Sequence, residues 1–327
     1  MNGPMFRYLR TRCLQSLIVI CLIIVGSFFL LRLVPGDMVD IMAGQQGDMD
    51  ATLMATLRAR YGLDQPVLIQ LYHYVGGIVQ GDLGYSYRNS TSVLSLILQR
   101  LPATGLLVIC SVFVAVFVGT LAGVVSARHA HRPLDIIVSM VVLLFYATPI
   151  FLSGLALMLI FSVKLKWLPL AGLTTPGVEL GVWGTALDIT RHMILPVVSL
   201  SLFYIAIYTR LARASMLQVL DQDYIRTAHA KGLSTTHVIL GHALRNALLP
   251  VVTMVGLQVA ELFGGAVLTE TIFGLPGIGR LAYDAVFQRD YPLILGILIV
   301  CAFVTIFVNL AIDVVYTLLD PRVKIAR

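Results

Sequence analysis

Six long, mostly apolar stretches recur along the chain and constrain its fold more than any other feature. A transmembrane helix needs about 20 such residues to cross the hydrocarbon core of a bilayer. The sequence therefore predicts an all-α polytopic membrane protein with six transmembrane helices, of which the third is long enough to require tilt. The predicted spans are residues 14–34, 103–126, 136–163, 193–209, 248–269 and 291–316.

Composition excludes the main alternatives to a membrane protein. Hydrophobic residues make up 58% of the chain and charged residues 12%, whereas soluble domains carry about 25% charged residues. A disordered chain needs low hydrophobicity, and one soluble core could not bury this much apolar surface. The net charge of +6 comes from basic residues beside the spans, so we expect membrane lipid as a neighbour and no nucleic acid.

The distribution of lysine and arginine predicts the orientation of the chain. Cytoplasmic loops carry an excess of these residues. If the N-terminus is cytoplasmic, the inner segments hold most of the basic residues, beginning with Arg7, Arg10 and Arg12, and the outer segments hold most of the acids. We therefore predict that both termini are cytoplasmic. The predicted organisation is a tail and first helix (1–34), a periplasmic region (35–102), a core (103–316) and a cytoplasmic tail (317–327).

Two regions between the spans carry helical patterns. In the periplasmic region, residues 51–60 are predicted to form an amphipathic helix and residues 67–79 an interfacial helix, followed by a turn at 81–84. In the cytoplasmic region 210–247, residues 221–223 are cap-type residues before a helix at 224–230. Gly232 ends that helix, and Ser234 is a natural N-cap for a second helix that continues into the fifth span.

The cytoplasmic region resembles the EAA loop of ABC-importer permeases, in the version of the dipeptide, oligopeptide and nickel group. Arg226 stands where the generic motif has glutamate, and Pro250 lies further from Gly232 than in other importers; both departures are typical of this group. The resemblance covers nearly the whole chain in order. It rests on residues 225–234 and 241–250, with further landmarks at 61–66, 81–84, 269–273, 276–279, 289–292 and 320–322.

The resemblance implies one permease subunit of an ATP-driven importer with the type I ABC-importer permease fold, in a bacterial inner membrane. It implies as partners a homologous second permease subunit, one or two ATPase subunits and a periplasmic solute-binding protein. Short peptides are the expected substrates, with nickel chelates or glutathione as alternatives within the family. The residues expected to couple the chain to the ATPase are Ala228, Lys231, Gly232, Leu233, Arg245, Asn246 and Pro250.

Catalytic and ligand-binding motifs are scarce in this sequence. It contains no G-x-x-x-x-G-K-[ST] phosphate-binding loop, so we expect ATP and magnesium to be bound by the partner ATPase and not by this chain. The histidines lack the spacing of a metal site, and no nucleophile–base arrangement is evident. The sequence therefore predicts no enzyme activity, no cofactor and no metal site in the chain.

Glu261 is an acid in the middle of the fifth predicted span. Burying such a charge in a bilayer costs at least ~2.5 kcal/mol on insertion scales, so the side chain should face a cavity or a partner. We consider two roles, in the translocation path or in a structural hydrogen bond. Small residues Gly256, Ala260 and Gly264 on the same helix permit close packing.

Two rival functions remain for the whole chain, an ion-driven secondary transporter and a membrane receptor or scaffold. Six spans without a clear repeat disfavour the secondary transporter.

Overall fold

The computed structural model describes residues 4–33, 39, 50–60, 63–86, 88–178 and 180–319. The sequence landmarks at 61–62 and 320–322, and the predicted tail from residue 320 onward, lie outside this range. The chain forms two compact units, the first holding residues 1–100 and 281–304 and the second holding residues 101–280 and 305–327. Both units are built from α-helices, and the described strands are one short hairpin, β1 (Tyr85–Ser86) and β2 (Thr91–Ser92).

The helices follow the predicted order, and short π-helical stretches extend two of them. A π-helical stretch (Met158–Lys164) continues α6, and another (Val238–Ala243) joins α9 to α10. The helices are α1 (Pro4–Leu33), α2 (Ala51–Arg60), α3 (Val67–Val79), α4 (Val93–Arg128), α5 (Pro133–Ala147), α6 (Ile150–Leu157), α7 (Val182–Leu220), α8 (Asp223–Ala230), α9 (Thr235–His237), α10 (Leu244–Gly265), α11 (Val267–Ile272), α12 (Ile278–Gln288) and α13 (Tyr291–Leu319).

In the first unit, α1 packs against α3. The Ser27 hydroxyl lies 3.2 Å from the Tyr74 hydroxyl, and the rings of Phe28 and Tyr74 are 5.6 Å apart. The predicted helices at 51–60 and 67–79 and the turn after them are confirmed. However, the apolar residues of α2 are spread around its circumference, so the prediction that this helix is amphipathic is wrong.

In the second unit, α7 is the central helix and contacts α4, α5, α6 and α10. A Cβ atom added at Gly119 would lie 2.7 Å from the Cβ of Tyr208, and one added at Gly123 would lie 2.7 Å from the Cβ of Ala212. Glycine is therefore required at both positions of α4 for this close approach. The two contacts advance in the same direction along both helices, so α4 and α7 are parallel.

The segment between α4 and α7 must cross the membrane once, because parallel spans start on the same side. Helices α5 and α6 meet at a bend of 101° and together are long and apolar enough to be this crossing. The predicted third span, 136–163, is thus present as a bent pair of helices and not as one tilted helix. Pro149 causes the break, since it disfavours the helical conformation at Thr148, where ψ is 123°.

The number of spans agrees with the sequence. Among the described residues, five helices are long and apolar enough to cross a membrane, and the bent pair α5–α6 makes a sixth when counted as one span. The all-α, six-span architecture is confirmed. Of the small residues singled out on the fifth span, Gly256 is buried, and Ala260 and Gly264 lie among the residues of α10 whose surroundings are outside the described part.

Candidate functional site

The candidate site predicted from the sequence is the region expected to couple the chain to an ATPase. It comprises residues 221–250, which follow α7 and include α8, α9 and the start of α10, and we call it the 221–250 segment. Helix α8 begins at Asp223, and its N-cap is Gln222, which makes no side-chain cap hydrogen bond. The second predicted helix starts after Ser234 and continues through a π-helical stretch into α10. The predicted pair of short helices joined at a glycine is therefore present.

The turn between these helices depends on two predicted residues. Gly232 has φ of +79°, and its N–H donates to the carbonyl of His229 over 2.9 Å. Among the described residues beyond its two chain neighbours, no atom lies within 4 Å of a Cβ at this position, so backbone conformation and not crowding favours glycine. The Ser234 hydroxyl accepts a hydrogen bond from the His237 N–H at 3.4 Å, which confirms the predicted N-cap.

The inner face of α8 is apolar. Ile225 and Ala228, three residues apart, are both buried, and this spacing places them on one side of the helix. They pack in an apolar cluster that fixes α8 to the ends of three other helices. The other members of this cluster are Ala127 of α4, Met216 of α7, Val238 and Ile239 and Ala243 of the π-helical stretch, and Ala247 of α10.

The outer face of the 221–250 segment is mostly polar, with exposed apolar side chains at Leu240, Tyr224 and Leu233. The Asn246 amide donates to the Tyr224 hydroxyl at 2.8 Å, which links α10 to α8. Arg226 forms exposed ion pairs with Asp221 at 3.3 Å and Asp223 at 3.5 Å. Of the predicted coupling residues, Ala228 is buried, whereas the exposed ones are Lys231, Gly232, Leu233, Arg245, Asn246 and Pro250.

Glu261, predicted in the translocation path or in a structural hydrogen bond, lies in α10, but its side chain is outside the described residues. One turn earlier, Gln258 is buried, and its Oε1 has no hydrogen-bond partner among the described residues. Both roles considered for Glu261 therefore stay predictions.

A second acid, which the sequence did not single out, is completely buried. Glu270 of α11 accepts a hydrogen bond at 2.6 Å from the Thr104 hydroxyl of α4 and another at 2.9 Å from the N–H of Arg280. The Thr104 hydroxyl in turn accepts from the N–H of Ile278 at 2.8 Å. The carboxylate thus caps the N-terminus of α12, where its negative charge is favourable.

Two glycines make room for this carboxylate. A Cβ at Gly277 would overlap the Glu270 carboxyl group, and one at Gly279 would lie 2.7 Å from the Cα of Val267. Burial raises the pKa of the Glu270 carboxyl, and hydrogen bonds from Thr104 and from the amides of Arg280 and Gly279 oppose this rise. We call Glu270, Thr104, Gly277, Gly279 and Arg280 the Glu270 cluster; the sequence predicted only a glycine turn here.

A buried ion pair near the 221–250 segment was also missed. The Nε and Nη2 atoms of Arg213 each donate to one carboxylate oxygen of Asp135 over 2.8 Å. The same carboxylate accepts hydrogen bonds from the Ser126 hydroxyl and, at 3.0 Å, from the N–H of His131. Asp135 is buried and Arg213 is partly exposed. These residues connect α4, the turn after it, α5 and α7.

The family comparison separates the transporter classes that the sequence left open. Residues 119–325 match the binding-protein-dependent transport system inner membrane component family, and residues 5–108 match the N-terminal part described for such membrane components. The chain belongs to this family. Membership in this permease family confirms the resemblance seen in the sequence and disfavours an ion-driven secondary transporter.

Relatives in the family match almost the whole chain. A putative peptide permease of Brucella suis biovar 1 is 39% identical over 322 residues, covering 98% of this chain and 100% of that protein. The dipeptide transport system permease protein of Escherichia coli K12 is 40% identical over 91% of this chain and 93% of its own length. The oligopeptide transport system permease protein of Bacillus subtilis 168 is 37% identical over 98% and 100%, respectively.

A solved structure supports the fold of the family member described here. The inward-facing MetNI methionine ABC transporter aligns with a TM-score of 0.56 and 15% identity, over 69% of this chain and 96% of the aligned chain. At that identity the likeness establishes the fold alone. It agrees with the predicted type I importer permease fold.

Proposed function

We propose that the chain is a pore-forming permease subunit of an ATP-driven importer of short peptides in the bacterial inner membrane. The observation that carries this proposal is the near-full-length similarity to permeases named for dipeptide and oligopeptide transport, at 37–40% identity. The similarity to these permeases covers more than nine-tenths of the chain, and so residues of both compact units. The expected substrates are therefore dipeptides and short oligopeptides.

The 221–250 segment is the proposed contact with a separate ATPase subunit, which binds ATP and magnesium. Its exposed residues Lys231, Leu233, Arg245, Asn246 and Pro250 would form the docking surface. Ala228 and Gly232 would instead fix the shape of the segment, since Ala228 is buried on the inner face of α8 and Gly232 adopts a left-handed conformation. A helix held on an apolar base transmits displacement, whereas a flexible loop absorbs it.

This assignment requires the 221–250 segment to face the cytoplasm, with both termini on the same side. The basic residues beside the spans support that orientation. The remaining proposed partners are a homologous second permease and, on the periplasmic side, a solute-binding protein that delivers the peptide. The chain itself would bind no cofactor and would hydrolyse no ATP.

The subunit composition can be tested by purifying the tagged chain from its native membrane in mild detergent. We expect a homologous permease and an ATPase to co-purify in stoichiometric amounts, with vanadate-sensitive ATP hydrolysis. Recovery of the chain alone, even after crosslinking, would contradict the proposal and favour a secondary transporter.

The substrate can be tested by reconstituting the purified complex with its binding protein in liposomes and measuring uptake of a labelled dipeptide. We expect uptake that requires ATP and is competed by unlabelled tripeptide. Competition by glutathione or a nickel chelate, but not by peptides, would instead assign the chain to one of the alternative substrates.

Glu261 is proposed to line the translocation path. In the same assay, Glu261→Gln should alter peptide uptake while the yield of assembled complex stays normal. Loss of assembly would instead indicate a structural hydrogen bond between helices.

A further inference from the structure

The first turn of α5 is held to the rest of the second unit mainly by one polar residue. Only Asp135 and Val142 of this helix are buried. The apolar neighbours of Asp135, namely Leu134, Ile136 and Ile137, are all exposed. Apolar packing therefore contributes little to the position of this turn, and the contacts of the Asp135 carboxylate determine where it lies.

Those contacts have a defined geometry. The guanidinium of Arg213 meets both carboxylate oxygens of Asp135 at 2.8 Å, in a two-pronged arrangement that fixes orientation as well as distance. A buried ion pair of this kind is weak evidence for stability, because desolvation of the two charges offsets their attraction. Its distinctive property is that it fixes the first turn of α5 to α7 in one orientation, whereas the stacked rings of Tyr146 and Phe203 join the other end of α5 to the same helix.

The ion pair adjoins the apolar cluster beneath α8. Met216, a buried member of that cluster, follows Arg213 by three residues on α7, so the two lie on neighbouring positions of one helix face. Ala127, another member, directly follows Ser126, whose hydroxyl donates to Asp135. A displacement of α8 therefore reaches both elements that hold the Asp135 carboxylate.

We propose that Asp135 and Arg213 are positioning residues that transmit the movement of the 221–250 segment to the bent pair α5–α6. This inference rests on the proposed function. When the ATPase displaces α8, the apolar cluster moves the end of α7, and the two-pronged ion pair carries the first turn of α5 along with it. Without the ion pair, α7 would move and the first turn of α5 would lag behind, so ATP hydrolysis would continue with less transport.

The test uses the complete complex, with its ATPase and binding protein, reconstituted in liposomes. Labelled dipeptide is added to the external solution, and ATP is supplied on the side that the ATPase faces. For Asp135→Asn we expect assembled complex with retained ATP hydrolysis. The amount of peptide transported per ATP should fall about tenfold, within the range of ordinary coupling energies between sites. An unchanged ratio of peptide transported to ATP hydrolysed, whether both rates stay normal or both fall equally, would overturn the inference.

Two control variants separate this effect from general damage. Ser126→Ala removes a hydrogen bond to the same carboxylate but keeps the ion pair, so the ratio should stay near that of the wild type. Asp188→Asn changes an aspartate near the other end of α7, where its carboxylate accepts from Thr175 at 2.7 and 2.8 Å. It should also leave the ratio unchanged; a fall as large as that in Asp135→Asn would contradict the inference.

If Asp135→Asn fails to assemble, Arg213→Lys decides, because it keeps the charge but cannot make the two-pronged contact. The inference requires a lowered ratio in this variant and is wrong if the ratio is that of the wild type.

Failure of the proposed function would look different. A wild-type complex that shows no ATP-driven peptide uptake contradicts the function, whereas a working wild type with unaffected variants contradicts only the role of the ion pair.

Discussion

The Glu270 cluster and the 221–250 segment are both helix junctions that contain a critical glycine, yet they are held in opposite ways. In the Glu270 cluster, a carboxylate is completely buried among hydrogen-bond donors, and Gly277 is required because any Cβ would overlap it. In the 221–250 segment, the buried face is apolar, the polar groups face outward, and Gly232 has empty space around it.

The difference indicates what each junction can tolerate. A junction fixed by buried hydrogen bonds and close backbone contact has no freedom to change, so substitutions there should act on folding. A junction with an apolar base and an exposed polar face can change its surface without loss of packing, so substitutions there should act on partner binding. The following predictions, from the largest expected effect to the smallest, test that division.

Gly277→Ala should have the largest effect. The added methyl group overlaps the Glu270 carboxyl group, and forcing such a group into a packed site costs about 3 kcal/mol. We expect little folded protein, measured by fluorescence-detected gel filtration of the tagged chain. Gly105→Ala is the matched control, because no described atom outside the nearby backbone of α4 lies within 4 Å of its Cβ position. Equal yields for both variants would contradict the crowding seen at Gly277.

Glu270→Gln tests the hydrogen bonds of the cluster without changing its size. The Gln amide nitrogen is a donor, so it cannot accept from both Thr104 and the Arg280 N–H. We expect the free energy of unfolding to fall by about 2 kcal/mol, measured by denaturant titration in detergent. An unchanged free energy would mean that the carboxyl group is already protonated in the native protein.

Gly232→Val tests the 221–250 segment. A β-branched residue at a φ of +79° is strained by about 1–2 kcal/mol, and the turn that presents Lys231 and Leu233 should distort. We expect near-normal yield of the chain but weak recovery of the ATPase in pull-down. Gly232→Asn is the control, since asparagine tolerates this conformation, and it should retain most of the ATPase. Loss of folded chain in both variants would break the comparison.

Asn246→Ala should have the smallest effect. It removes the exposed hydrogen bond between Asn246 and Tyr224, which contributes about 0.5–1 kcal/mol. We expect normal folding and a modest decrease in ATPase affinity, measured by titrating the ATPase against the detergent-solubilised chain. Tyr224→Phe should cause a similar decrease, and the double variant should be no worse than either single one. Additive decreases would contradict a shared role of the two side chains.

The sequence predicted best those features that depend on neighbouring residues. Gly232, the Ser234 cap and the continuous second helix are local signals, and all are present. Pro149 is equally local, but the apolar stretch around it is long enough for a single span, so hydropathy alone does not indicate the bend. The contact of Gly119 and Gly123 with α7 required knowing which helices are adjacent, although small residues four positions apart on α4 were a usable sign.

The Glu270 cluster and the Asp135–Arg213 pair could not be predicted in this way. Thr104 and Glu270 are 166 residues apart, and Asp135 and Arg213 are 78 apart. Nothing near either acid in the sequence identifies its partner. Glu270 did carry a weak signal, because a lone acid shortly before Pro276-Gly277-Ile278-Gly279 suggests that the glycines make room for it. Glu261 is the more conspicuous acid in the sequence, because it lies in the middle of a predicted span.

The length of α7 sets how far the 221–250 segment stands from the lipid. Its apolar part, residues 193–209, is about 25 Å long at 1.5 Å per residue, and the residues from there to Leu220 extend the helix about 16 Å further. The headgroup layer adds only about 5–8 Å on each side of the hydrocarbon core. The end of α7 and the start of α8 therefore lie beyond the headgroups, where a large soluble protein can approach them without deforming the bilayer.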